Sequence, residues 1–243
     1  MGAGRLSASL SSAQPPAPFP SPNNPSKEYI YAGGKLIATE EPGGGSSLAA
    51  PLGLMARTTW TPPPVTPQVL ITWAASPGAH HYQVERTDRL NKPFTILSSN
   101  VLTTSFTDTQ VTSINAFVYQ VRAVDGFGNV SPSSNLDMAT AITFTDDPLI
   151  ANSTVIKGQH VKELRQAVTA MLQTALMPLP TWTDDFASLS GIHVKAIHIE
   201  ELRTNLNAAL SGVGIAVSPY TDLALSGVHI KKIHLDELRE RVR

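Results

Sequence analysis

VKAIHIEELR, Val194 to Arg203, recurs with small changes as IKGQHVKELR, Ile156 to Arg165, and as IKKIHLDELR, Ile230 to Arg239. Each copy keeps a Lys, a His, a Glu and an Arg in fixed register: Lys157, His160, Glu163 and Arg165; Lys195, His198, Glu201 and Arg203; Lys231, His234, Glu237 and Arg239. The histidines are 38 and then 36 residues apart, and an upstream aromatic-Thr-Asp mark at Phe144, Trp182 and Tyr220 recurs at 38 and 38. Two marks sharing one period define a repeat of about 38 residues, with two residues deleted in the third copy. After each His the apolar residues follow a helical stripe: Val161, Leu164, Val168, Met171 and Leu172, then Ile199, Leu202, Leu206, Ala209 and Leu210, then Leu235, Leu238 and Val242. The pattern predicts a small all-α array of three helical repeats over 141–243, divided as 141–178, 179–216 and 217–243.

Three readings of the signature are open: a metal or catalytic centre built in triplicate, a ligand-binding surface, or a unit that stacks. Metal chemistry needs three or more ligands, usually with helical pairs at i, i+3 or i+4. Each copy shares one His. His193 and His229 precede the second and third by five residues, a spacing that faces different sides of a helix, and the first copy has Val155 there. His-x-x-Glu could serve as an acid–base pair, but three single-turn active sites in series make poor sense. The balance favours packing: an imidazole donates to an acceptor in the neighbouring copy, Lys, Glu and Arg bridge copies, and Thr and Asp before each helix hold a turn. Neither metal nor cofactor is expected.

Between about Thr58 and Thr140 the pattern changes to short alternating runs with turn residues between them: QVLITW, HYQVER, FTILSS, TSFTDT, FVYQVRAVD and LDMATA. That spacing predicts an antiparallel β-sandwich. Trp73, then Tyr82, Val84 and Arg86 at alternate positions, then Phe117, Tyr119, Val121 and Ala123-Val124-Asp125 followed by GFGNVSPSSN resemble a fibronectin type III domain. The resemblance covers about a third of the chain and implies seven antiparallel strands over 58–140. It also places the family's corner tyrosine at Phe117, which implies loss of that hydroxyl's bond to the backbone.

Further upstream, KEYIYAGGKLIATE, 27–40, reads as two short strands around Gly33-Gly34, residues that supply the positive φ a tight hairpin needs. Tyr29, Tyr31, Gly34, Lys35 and Leu36 resemble the Tyr-x-Tyr-Asp…Gly-Arg-Leu signature of Rhs/YD-repeat proteins, with Ala32 and Lys35 in place of its Asp and Arg. This implies the end of a large secreted polypeptide, hence an extracellular or cell-surface location. Residues 1–26 are a Pro/Ser-rich arm, and 41–57 a Gly/Ser/Pro linker, by composition.

Composition narrows the function. Only 15% of the 243 residues are charged and the formal net charge is −1, so no global basic field exists to hold nucleic acid. The absence of cysteine excludes thiolate metal sites, disulfides and thiol nucleophiles. No apolar run reaches the roughly 18 residues of a membrane-spanning helix, and the first residues lack the apolar segment of a secretory signal. No Gly-x-Ser-x-Gly and no phosphate-binding glycine loop occurs, and Asp125, Asp146-Asp147 and Asp184-Asp185 read as turn and cap residues. The His-to-Arg signature resembles an uncharacterised repeat that follows fibronectin-type modules in bacterial surface proteins. It is also similar to the S-layer homology motif, which implies cell-wall polymer binding, although that motif's Thr-Arg-Ala-Glu core is absent. The third copy stops before a counterpart of Ala209-Leu210, which predicts an open end to the array. The expected function is therefore a non-enzymatic extracellular structural protein. Its arm and hairpin, through Tyr29, Tyr31, Leu36 and Ile37, dock head-to-tail on the next copy to form a homopolymer or filament. The alternative is a module anchoring a larger secreted polypeptide to a cell-wall glycan.

Overall fold

The computed structural model describes residues 28–32, 34–40, 48–60, 66–184 and 193–243. The chain divides into two compact units, Met1–Ser46 and Ser47–Arg243. In the first, β1 (Glu28–Ala32) and β2 (Lys35–Glu40) form the expected hairpin, with Gly34 at φ 76° in the turn. Tyr29 lies opposite Thr39 and Tyr31 opposite Leu36, and an irregularity between Ile30 and Tyr31 adjusts the register at Ile37. The expected arm, 1–26, lies outside the described residues.

The second unit is a β-sandwich fused to three helices. One sheet has the order β3-β4-β7 and the other β6-β5-β8-β9, all antiparallel: β3 (Met55–Trp60), β4 (Pro67–Thr72), β5 (His81–Thr87), β6 (Thr95–Val101), β7 (Ser105–Asp108), β8 (Ala116–Val124) and β9 (Asp137–Thr140). These are the seven antiparallel strands of a fibronectin type III-like sandwich. Val69, Ile71, Val84, Tyr119 and Val121 fill the space between the sheets, and Trp73 meets Tyr82 edge-on at 5.3 Å. The first strand begins three residues before the expected boundary, because Leu54 and Ala56 are buried in this core. The outer edge of β3 is closed by side chains that imitate a strand: Leu54 N–H donates to Asn135 Oδ1 at 2.9 Å and Ala56 N–H to Asp137 Oδ2 at 2.8 Å. At the corner position Phe117 lies under the Arg86 guanidinium, 4.5 Å from its ring centre. The neighbouring Tyr119 supplies the hydroxyl instead, donating to Asp108 at 3.0 Å.

β8 is buried along almost its whole length. Phe117, Tyr119, Val121 and Ala123 face the sandwich, whereas Ala116 and Val118 join Met138 and Ile142 in a second core. That core is completed by the helices α1 (Gly158–Thr174), α2 (Ala196–Val213) and α3 (Lys232–Val242). Every residue of the stripes expected from the sequence is buried. Cross-links continue through the junction: Thr174 Oγ1 donates to Ala116 O, Thr140 Oγ1 to Val242 O, and Leu90 N–H to Thr174 O. The division expected near residue 140 is thus a seam inside one unit, because the outer face of the four-stranded sheet is the floor on which the helices pack.

Candidate functional site

The three signatures build the same local structure. Each helix starts after a Lys in extended backbone: Lys157, Lys195 and Lys231. Three positions on, the imidazole turns back over that residue, and Nδ1 accepts the Lys backbone N–H at 3.2, 3.1 and 3.2 Å for His160, His198 and His234. A backbone N–H can only donate, so Nδ1 is the unprotonated nitrogen. Nε2 then carries the hydrogen and donates it to Oδ2 of Asp146, Asp184 or Asp222 at 3.1, 3.0 and 3.0 Å. The His thus plays the part that Glu or Gln at this position plays in an ordinary capping box. The Lys ammonium bonds the same Oδ2 at 3.0, 2.6 and 3.1 Å. Lys157 and then His160 hold the Asp146 carboxyl below its ordinary range, as Lys195 and His198 do for Asp184, and His234 and Lys231 for Asp222. Burial drives the pKa of His160 and His198 down against the pull of these carboxylates, so both rings are neutral at pH 7.

Each of these aspartates adopts a left-handed backbone, with φ 51°, 54° and 51°, a conformation that Asp tolerates better than most residues. That turn aims two consecutive carbonyls at an arginine from another copy. Arg165 donates to Thr183 O at 2.6 Å and Asp184 O at 2.7 Å, and Arg203 to Thr221 O at 2.8 Å and Asp222 O at 2.7 Å. Arg239 donates to Thr145 O at 2.7 Å and Asp146 O at 3.1 Å. The first copy thus grips the second, the second the third, and the third the first. The guanidinium planes lie over Trp182, Tyr220 and Phe144 at 5.0, 4.6 and 4.8 Å from the ring centres. Glu163 accepts from Thr145 N–H, Glu201 from Thr183 N–H and Glu237 from Thr221 N–H, each tying its helix to its own loop. Each Glu also faces the incoming arginine: Arg165–Glu201 at 3.2 Å, Arg203–Glu237 at 3.5 Å and Arg239–Glu163 at 3.9 Å.

Two sequence expectations change. The His and Lys partners lie within the same copy, and Arg alone crosses between copies while Glu receives it. The array also has no open end, because Arg239 returns to the first loop and Arg243 pairs with Asp147 beside it. Glu163 and Arg165 are buried because the ring folds the loops over them. The aspartates were the missed members of the cluster. Their Thr-Asp spacing was visible, but their left-handed backbone is not written in any local pattern.

Chemically the cluster is closed. All three imidazoles have 0% exposure, and both ring nitrogens are engaged, so no substrate reaches a free base. Among the described residues no group of three His, Cys, Asp or Glu is arranged to hold a metal ion. No helix among them is long and apolar enough to cross a membrane. Elsewhere, the β8–β9 loop is fixed by Asp125, which accepts from Phe127 N–H at 2.9 Å and Asn129 N–H at 2.8 Å. This presents Phe127 at 94% exposure.

No protein-family model matches the chain. It is 30% identical over 96 residues to an amylopullulanase of Thermoanaerobacterium thermosulfurigenes, and 31% identical over 96 residues to one of Thermoanaerobacterium saccharolyticum. The match covers 39% of this chain in both cases, but only 5% and 7% of those enzymes. Among solved structures, a Fn3-like protein from Clostridium thermocellum is 29% identical, with 41% of this chain and 96% of that chain covered at a TM-score of 0.34. A beta-1,2-glucanase from Parabacteroides distasonis is 21% identical, with 51% and 15% covered at 0.35.

Proposed function

We propose that Ser47–Arg243 is a non-catalytic, carbohydrate-associated accessory unit of an extracellular polypeptide, a rigid block formed by a sandwich and a closed ring of three helical repeats. The observation that carries this reading is the closure itself. Each Lys, His, Glu and Arg side chain of the triplicate signature is bonded to another part of the same chain, which supports a structural role and leaves no free reactive centre among the described residues of the ring. The sequence likeness to segments of amylopullulanases, polysaccharide-degrading enzymes by name, supports the carbohydrate association. Affinity electrophoresis in gels containing starch or pullulan, alongside pull-down on cell-wall sacculi, tests it. The expected result is retardation or retention on at least one glycan, with no release of reducing sugar. Free migration on all of them, or hydrolysis, overturns it. Substitution of His160, His198 or His234 is not a suitable probe of glycan contact, since all three rings are buried.

A second reading is head-to-tail self-assembly through the arm and hairpin. It is favoured by the hairpin's edges: among the described residues β1 and β2 form a sheet of two strands only, and an isolated hairpin is marginal in water. Size-exclusion chromatography and negative-stain imaging compare the full chain with Δ1–46. A full chain that stays monomeric at high concentration removes this reading and leaves the accessory role standing.

A further inference from the structure

We propose that the histidine caps of α1 and α2 make the helical ring an acid-triggered release device, which lets go of the sheet face beneath it when Nδ1 of His160 and His198 takes up a proton. In the folded chain each Nδ1 is the acceptor that holds the backbone N–H of the Lys capping its helix. A proton there turns acceptor into donor, sets two N–H groups against each other and leaves the helix start without its cap. Nε2 offers no alternative, because its hydrogen already lies on the aspartate.

The charged groups around each ring fix the direction of the effect. His160 faces Asp146 and Lys157 beside it, Glu163 one turn along α1, and Arg239 from α3. His198 faces Asp184 and Lys195, and Arg165 from α1. His234 faces Asp222 and Lys231, and Arg203 of α2 bonds the carbonyl of that same Asp222. The carboxylates favour the protonated ring. Burial and the arginines oppose it, and they prevail for His160 and His198. A histidine whose folded pKa is depressed supplies stability that is complete above the unfolded value of about 6.5 and is lost as pH falls from there toward the folded value. The three aspartates stay ionised through this window, since their own carboxyls are held low. Each cap also adjoins the loop carbonyls that receive an arginine from another copy, so losing a cap loosens the joint as well. What the ring then uncovers is apolar: Ala116, Val118, Met138 and Ile142.

The test uses the full chain and the triple variant H160Q/H198Q/H234Q. Glutamine at this position still accepts the N-cap N–H through its carbonyl and does not titrate. Unfolding by urea at pH 7.5, 6.5, 5.5 and 5.0 is followed by circular dichroism at 222 nm, with a dye for exposed apolar surface. If opening takes up about two protons, the unfolding constant of the native chain rises about a hundredfold per pH unit inside the window. The variant's dependence should be close to flat. Equal pH dependence in the two proteins overturns the proposal. So does a nitrogen-resolved NMR titration that finds Nδ1 protonated at pH 5 with the helical signal intact. If the triple variant does not fold, His198→Gln alone should lower the slope by about one proton, and an unchanged slope overturns the proposal equally.

Discussion

Removing the Arg239 side chain separates a closed ring from an open array. In an open array the last arginine is solvated, and its loss costs about 0–1 kcal/mol. In the ring it is only 2% exposed. It donates to two carbonyls of the first copy, stacks over Phe144 and stands 3.9 Å from the buried Glu163. Hydrogen bonds from a charged donor contribute about 1.5–3 kcal/mol each. Truncation to alanine also leaves Thr145 O, Asp146 O and the Glu163 carboxylate short of a partner. Breaking a buried pair from one side costs about 3–5 kcal/mol, and that range is expected for Arg239→Ala. It is a large share of the roughly 5–15 kcal/mol that holds a domain folded. Arg165→Ala breaks the equivalent joint between the first and second copies and should fall in the same range, which makes it the internal standard. Arg239→Lys keeps the charge but loses the planar fork that reaches both carbonyls, and should fall between wild type and alanine. Urea melts followed at 222 nm give the three differences. A loss below about 1 kcal/mol for Arg239→Ala, beside the full loss for Arg165→Ala, refutes ring closure.

Met138→Ala, at the seam beneath the helices, should cost about 2–5 kcal/mol and lower the helical and tertiary signals in one coincident transition; two separate melts would show that sandwich and helices are independent units. Deleting 1–46 should leave the melting temperature of the remainder within about 2 °C, whereas deleting 1–57 should lower it sharply, because Leu54 and Ala56 leave the core and Asp137 loses the Ala56 N–H. Phe127→Ala should change stability by no more than about 0.5 kcal/mol, as expected for an exposed surface position, and any larger loss means that the ring packs on something in the folded chain.

The sandwich was legible because its signal is local. Alternation marks a strand with one wet face, and Tyr82, Val84, Tyr119 and Val121 alternate as such strands do. The helical stripes were legible for the same reason. What escaped was every feature that depends on two distant segments meeting. Val118 and Ala116 sit at outward positions of β8, where a free-standing sandwich carries polar residues. Their apolar character was the available sign that this face is covered. The edge device at Asn135 and Asp137 joins residues 81 apart in sequence, and no pattern within a window of ten or fifteen residues can contain it. The signature residues were found in full, yet their roles were assigned one step out of place, because an aspartate 14 residues upstream of His160 and His198, and 12 upstream of His234, was read as turn material instead of as the imidazole's partner.

Ring closure also accounts for how the last turn of α3 is covered. In a linear stack the last helix must cover its neighbour alone, and losing a final turn exposes core. Here α3 (11 residues) is completed from outside its own copy: Val242 O accepts from Thr140 on the sandwich, Arg57 of β3 pairs with Glu240, and Asp147 from the first loop receives Arg243. The sheet therefore covers the end of α3, and Val242 is fully buried there. The same reasoning bears on assembly. A helical array with a free terminus propagates by stacking another array on that terminus, but a ring whose third arginine already occupies the first loop offers no such joint. The repeats therefore give the block its rigidity and present no free arginine joint on which a second array could stack.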